Sequence, residues 1–104
     1  MSHRCNNCEP LPAEVLVGAE VLGRRWALAL IYALHTGAVR FNEFKQALHE
    51  VSPRTLAQRL ADLEEAGLLE RRVIDARPPL VEYRLTPHGE RLGAVVEVLR
   101  RWPS

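Results

Sequence analysis

Two cysteines near the amino terminus are the side chains best suited to covalent or metal chemistry. They lie in the sequence His3-x-Cys5-x-x-Cys8, with Asn6 and Asn7 between the two thiols. Asn favours turns, so the sulfurs are expected to come close together, which helps reversible disulfide formation. A structural zinc site needs about four ligands, and this segment offers three at most. Three interpretations stay open: a thiol switch, a metal site completed by a partner subunit, and a terminal segment that does neither.

A second group of side chains is suited to binding a polyanion. If Leu56, Leu60 and Leu63 face inward on a helix, the outward N-terminal half carries polar and basic side chains and no acidic one. These outward residues are Ser52, Arg54, Thr55, Gln58 and Arg59. Arg suits guanine and phosphate, Gln suits adenine, and Thr suits a phosphate or a thymine methyl group. The face is predicted to contact DNA; an ordinary solvated helix face is the alternative.

Capping signals define the elements that must position this face. A short helix is predicted at 42–49, and a tight turn then leads to Ser52, a strong N-cap. Pro53 stands at the first helical position, where proline is favoured, and Gly67 ends the helix. Two helices joined in this way are typical of a helix-turn-helix.

A hairpin is predicted to follow, with strands at 68–75 and 80–86. Val81, Tyr83 and Leu85 alternate with charged residues, and two prolines lie in the intervening turn. Because the hairpin is rich in Arg, it is predicted to lie along a neighbouring DNA backbone or minor groove. Its candidate contacts are Arg72 and Arg77, and Arg40, which precedes the short helix, is added to the DNA-binding set.

The remaining segments predict three further helices. The first begins after Pro10 and Pro12 and runs to about Leu22, and the second covers 24–35 and is apolar nearly all round. The last begins after Thr86-Pro87. The predicted fold is therefore mainly α with a small β-hairpin, in the order α-α-α-α-β-β-α.

Length and composition limit the possible classes of protein. The chain has 104 residues, 47% hydrophobic and 26% charged, which suits one domain over 1–104 with 1–11 as a flexible N-terminal segment. Its net charge of +1 excludes a polybasic coat, so any DNA-binding charge must be concentrated locally. The longest apolar run, 26–34, is shorter than the ~20 residues of a membrane span, and no signal peptide is recognisable. A cytoplasmic location without a membrane partner is expected.

The sequence favours no catalytic chemistry. It contains no phosphate-cradling glycine loop, no Ser-His-Asp arrangement and no HExxH pattern. Glu64 and Glu65 are adjacent on a predicted helix and therefore point apart, which does not suit paired acid–base work. We expect no enzyme activity and no cofactor, and the residues identify no inducer.

Several short motifs occur together in the order and spacing of one family. They are Gly23-Arg24-Arg25-Trp26, Arg40-Phe41-Asn42-Glu43, Ser52-Pro53-Arg54-Thr55-Leu56, Gln58-Arg59-Leu60, Leu63-Glu64, Gly67-Leu68, Pro78-Pro79, Glu82-Tyr83 and Leu85-Thr86-Pro87-His88-Gly89. The chain thereby resembles the HxlR-type winged helix-turn-helix regulators, which are related to the MarR group. Arg25 stands where that family usually has Lys, and the cysteine pair lies further from Trp26 than the family's usual cysteine, whose place falls near Ala13.

The resemblance implies a sequence-specific, homodimeric transcriptional regulator of double-stranded DNA, repressor-like and responsive to thiol redox state. Its first and last helices would form the dimer interface. The candidate interface residues are Val15, Leu22, Leu92, Val95, Val96, Leu99 and Trp102. The alternatives are packing of this apolar stripe within its own subunit, a winged-helix module for protein–protein contact, and a metal-responsive sensor.

Overall fold

A computed structural model of the chain describes residues 8–103 and contains six helices and one hairpin over that range. The elements are α1 (Ala13–Leu22), α2 (Ala27–His35), α3 (Phe41–Ala47), α4 (Pro53–Glu65), β1 (Leu69–Ile74), β2 (Leu80–Leu85), α5 (Pro87–Glu90) and α6 (Gly93–Arg101). The predicted fold class, mainly α with a two-stranded wing, is confirmed. No helix within this range is long and apolar enough to cross a membrane.

The core forms around α2, which contacts α1, α3, α4, α6 and the hairpin. Leu30 and Ile31 on α2 and Leu56 on α4 are fully buried. Leu60 and Leu63 continue the inward face of α4, as their helical spacing predicts. Phe44 of α3 is also fully buried and meets Tyr83 of β2 edge-to-face, with 6.0 Å between the ring centroids. The helix-turn-helix is thus held against α2 on one side and the hairpin on the other.

The hairpin is antiparallel and pairs Leu69 with Leu85 at its base and Ile74 with Leu80 near its tip. The backbone amide of Tyr83 donates to the carbonyl of Val39 at 2.8 Å, which ties β2 to the segment that enters α3. At the base, the Thr86 hydroxyl donates to the carbonyl of Gly67 at 2.5 Å. These two hydrogen bonds fix the hairpin relative to both helices of the helix-turn-helix.

Two predicted helix boundaries were wrong. The second helix begins at Ala27 rather than Arg24, because Trp26 adopts a left-handed conformation (φ 77°) and 23–26 form a turn. The single last helix is divided into α5 and α6, since Leu92 has a non-helical ψ of 4° while its side chain packs on the core. Trp102 lies one residue beyond the end of α6.

Candidate nucleic-acid interface

The turn between α3 and α4 is held by the only lysine of the chain. Lys45 donates from Nζ to the carbonyl of Val51 at 2.7 Å, and the Val51 amide donates to Leu48 at 3.0 Å. The Val51 side chain is buried in the core. The angle between α3 and α4 is therefore set by one buried apolar anchor and one charged hydrogen bond.

The N-terminus of α4 presents one basic side chain directly to solvent. Ser52 caps the helix, because its Oγ accepts from the backbone amide of Thr55 at 3.1 Å, and the two hydroxyls lie 3.0 Å apart. Arg54 is exposed, and its side chain makes no hydrogen bond or ion pair with any residue of 8–103. The free amides and positive dipole end of the thirteen-residue helix lie beside it. This arrangement suits a phosphate or a base edge in front of Arg54.

The two other polar candidates on α4 are bound within the protein. Gln58 donates from Nε2 to Oδ1 of Asp62 at 3.0 Å, and Arg59 donates from Nη1 to Oδ2 of Asp62 at 2.8 Å. Partial burial of Asp62 favours the protonated acid, but hydrogen bonds from Gln58, Arg24 and Arg59 outweigh it. They hold the pKa of the Asp62 carboxyl below its ordinary value.

The charges of the hairpin are largely paired along each strand. Arg72 donates to Glu70 at 2.7 Å and Arg84 donates to Glu82 at 3.3 Å, all four side chains lying on one face. Arg77, in the turn between the strands, is exposed and has no such partner in the part of the chain described. Within the described residues, the hairpin therefore offers unneutralised basic charge at its tip, on Arg77, and on β1, where the exposed Arg71 also lacks such a partner.

Arg40 precedes α3 and is exposed. Glu43 accepts hydrogen bonds from the backbone amides of Val39 and Arg40, both at 2.8 Å. These two bonds, with a smaller contribution from the Arg40 charge, hold the pKa of the Glu43 carboxyl below its ordinary value. Glu43 therefore caps the N-terminus of α3.

The candidate dimer residues fall into two groups. Val96 is only 6% exposed and belongs to the core, and Leu22 and Leu92 pack against that core. Val15, Val95 and Leu99 are exposed, and Trp102 is 78% exposed. Further exposed apolar residues, not singled out from the sequence, lie beside them: Leu11, Leu16, Val17 and Val98. Six of these eight exposed residues lie on α1 or α6, and Leu11 and Trp102 lie next to these helices; the eight are called the apolar surface of α1 and α6.

The cysteine pair is described only in part. Cys8 is exposed and lies ahead of α1, whereas His3 and Cys5 lie outside the described residues. Within 8–103, no group of three His, Cys, Asp or Glu side chains is arranged to hold a metal ion.

Asp62 and Lys45 are the polar residues of this region that sequence reasoning missed. The spacing of Asp62 from Gln58 (i, i+4) and Arg59 (i, i+3) was a usable signal, since such pairs face each other on a helix. No local signal predicted the bond from Lys45 to Val51, because it depends on how tightly the turn folds.

Comparison with known proteins identifies the family. A family model described as HxlR-like helix-turn-helix matches residues 21–104. This chain belongs to the HxlR-like helix-turn-helix family. The HTH-type transcriptional regulator YvaP of Bacillus subtilis (strain 168), itself described as uncharacterized, is 35% identical over 85 residues, covering 82% of this chain and 79% of YvaP.

Solved structures of two regulators have the same fold. The redox regulator HypR in its reduced form superimposes with a TM-score of 0.78 at 34% identity, covering 86% of this chain and 89% of HypR. Diamide-treated YodB from B. subtilis gives a TM-score of 0.77 at 32% identity, covering 90% and 93% of the two chains. The protein is therefore a helix-turn-helix transcriptional regulator and not an enzyme.

Proposed function

We propose that this HxlR-like protein binds double-stranded DNA as a homodimer, with α4 in the major groove and the hairpin tip along the adjacent backbone. The observation that carries this proposal is Arg54, which is exposed and unpaired within 8–103 at the capped N-terminus of α4. Arg77 supplies a second unneutralised cation at the hairpin tip. Base readout is assigned to Arg54, and backbone contact to Arg77 and Arg40.

The other predicted contacts take supporting roles. Ser52 and Thr55 form the helix cap, and their hydroxyls remain close enough to solvent to meet a phosphate. Arg72 is neutralised by Glu70 on the same strand, so it contributes less than Arg77 to phosphate binding. Arg59 and Gln58 are bound to Asp62 and contact DNA only in the orientation that this carboxylate allows.

The homodimer is supported by the apolar surface of α1 and α6. No residue of α1 is buried, although the helix is largely aliphatic. Isolated exposed apolar residues are ordinary, but six on α1 and α6, with Leu11 and Trp102 next to these helices, are consistent with an interaction surface. Val96 is buried in the subunit's own core and Leu22 and Leu92 pack against it, so the proposed interface is assigned chiefly to the exposed residues. A two-fold dimer would place two copies of α4 in successive major grooves, ~34 Å apart.

We propose that oxidation of the Cys5–Cys8 pair weakens DNA binding and thereby relieves repression. Two observations support it: HypR is a redox regulator known in reduced and oxidised forms, and YodB has been crystallised after diamide treatment. Diamide takes two electrons and two protons from a pair of thiols, which then form a disulfide. Cys8 lies close before α1, so a change of thiol–disulfide state there acts next to the proposed dimer surface.

Fluorescence anisotropy with DNA from upstream of the protein's own gene tests the DNA-binding proposal. We expect binding that is tighter than to a shuffled sequence, with log K falling against log salt by about 0.9 per phosphate contact. Binding that is flat in salt, or absent at low salt, would instead favour a winged-helix protein-interaction module.

The redox proposal is tested separately with a Cys5→Ser/Cys8→Ser variant, with and without diamide, in the same assay and in a transcription assay. We expect diamide to weaken the unmodified protein's binding and restore transcription, and the variant to be insensitive. An identical response of both proteins would exclude the cysteine pair, and stoichiometric metal in the purified protein would favour the metal-sensor alternative.

A further inference from the structure

Asp62 receives hydrogen bonds from two parts of the chain that are far apart in sequence. Gln58 and Arg59 approach it from its own helix, as described above. Arg24, in the turn between α1 and α2, reaches the same Oδ2 atom from Nη1 at 3.0 Å. The Asp62 side chain is only 13% exposed, so these partners replace most of its contact with water.

A second bond runs in parallel between the same two segments. Arg59 donates from Nε to the backbone carbonyl of Arg25 at 3.0 Å while its Nη1 holds Asp62. The next residue, Trp26, adopts the left-handed conformation. The Arg25 guanidinium covers the Trp26 ring at 5.0 Å from its centroid, and that ring packs on the core. The turn is therefore anchored on the core and holds α4 through these hydrogen bonds.

We propose that Asp62 is a positioning residue for DNA binding, which docks α4 on the turn between α1 and α2 and fixes how Gln58 and Arg59 are presented. This inference rests on the proposed function, because it assumes that α4 meets DNA. The turn continues directly from α1, which carries part of the apolar surface proposed to dimerise. The contact thus joins the dimer helix of each subunit to its DNA-reading helix.

The orientation of Gln58 has a consequence for base preference. One of the two Nε2 hydrogens is held by Asp62, which restricts rotation of the Gln58 amide and leaves Oε1 and the second Nε2 hydrogen to meet a base. An amide oxygen accepts from the exocyclic amine of adenine or cytosine, and it does not pair with the acceptor edge of guanine. Removal of the Asp62 carboxylate frees the Gln58 amide to rotate and should relax preference at one base of each half-site.

The test compares Asp62→Asn with Glu64→Gln in the full-length protein. Both changes remove one negative charge from α4, but the Glu64 side chain is exposed and has no partner within 8–103. Non-specific attraction to DNA therefore rises equally in both variants. We expect Asp62→Asn to bind the operator about fivefold or more weakly than Glu64→Gln, with equal affinity for shuffled DNA. Selection from randomised DNA should show weaker preference at one base per half-site for Asp62→Asn only.

Arg24 supplies an independent test if Asp62→Asn folds poorly. Arg24→Gln removes the long-range ion pair but leaves Arg59 bound to Asp62, whereas Arg24→Lys retains the positive charge. We expect weaker operator binding in the Gln variant and recovery in the Lys variant, at unchanged melting temperature.

Three outcomes distinguish the inferences. Equal operator affinity and base preference in Asp62→Asn and Glu64→Gln, with Arg24→Gln unchanged, would overturn the role of Asp62 alone. Absence of sequence-specific DNA binding by the unmodified protein would overturn the proposed function and this inference with it. Weaker operator binding that is confined to Asp62→Asn and Arg24→Gln supports both the proposed DNA-binding function and the positioning role of Asp62.

Discussion

Gly89, in the single turn of α5, lies directly against the carbonyl oxygen of Leu68, where the chain enters β1. A Cβ atom on residue 89 would stand 2.0 Å from that oxygen and 2.9 Å from its carbon. Glycine is therefore required where α5 crosses the base of the hairpin, and the Thr86 hydroxyl accepts from the Gly89 amide at 3.0 Å to complete the contact.

We expect Gly89→Ala to lower the free energy of unfolding by about 1–3 kcal/mol, because the clash is with backbone and no flexible side chain can yield. Gly18→Ala is the matched control, since a Cβ there meets nothing within 4 Å and helical alanine is favoured. Urea unfolding followed by circular dichroism measures both. Equal stability of Gly89→Ala and the unmodified protein would contradict this close approach.

Arg54→Ala should weaken specific operator binding by about 1–3 kcal/mol and relax preference at one base, if Arg54 reads a guanine edge. Arg91→Ala removes the same charge from an exposed position between α5 and α6 and serves as the control. Anisotropy titrations against the operator and single-base variants measure the effect. A uniform loss over all sequences would reassign Arg54 to a phosphate.

Arg77→Ala should weaken binding evenly across DNA sequences and reduce the slope of log K against log salt by about one, because its exposed charge at the hairpin tip suits a phosphate. Titrations at several salt concentrations, with Arg54→Ala alongside, measure the slope. If Arg77→Ala changed base preference and left the slope unaltered, the roles assigned to these two arginines would be exchanged.

Trp102→Ala should shift the monomer–dimer equilibrium toward monomer, because it deletes the most exposed large side chain of the apolar surface of α1 and α6. Sedimentation equilibrium measures the dissociation constant. Val73→Ala is the control: Val73 is 59% exposed but lies on the hairpin, away from the proposed interface. An unchanged dimer in Trp102→Ala would remove this residue from the interface.

Glu43 should stabilise the fold in a pH-dependent way. Its pKa in the folded protein is lowered by the amides of Val39 and Arg40, so the ionised form gains more from folding than the neutral acid. The stabilisation is present above the unfolded-state pKa of about 4.3 and is lost as pH falls through the lower folded-state pKa. We expect Glu43→Gln to be less stable at neutral pH, with a difference that shrinks in acid. Thermal melts between neutral and acidic pH measure this, with Glu65→Gln controlling for the lost charge.

Local sequence patterns predicted the helices of the helix-turn-helix and the strands of the hairpin, because neighbouring residues determine where these elements begin and end. Ser52 and Pro53 start α4, Gly67 takes the left-handed conformation after it, and period-two alternation identifies the strand that contains Tyr83. These signals depend on hydrogen bonds and side-chain directions within a few residues. The turn at Trp26 and the break at Leu92 were missed because packing against the core overrides the local helical pattern.

Tertiary structure decided which of the arginine side chains are paired with other groups of the protein. The sequence by itself determined that the N-terminal half of α4 carries Arg54 and Arg59 without an acidic residue, and that the hairpin carries four arginines. Only the folded chain brings Arg24 to Asp62 and the Arg25 carbonyl to Arg59. These partners are separated by more than thirty residues, as the sequence interval of 34 between Arg25 and Arg59 shows. The fold pairs some arginines, such as Arg59, and leaves others, such as Arg54 and Arg77, without a partner in 8–103, so the count of arginines is a property of the sequence and their pairing is a property of the structure.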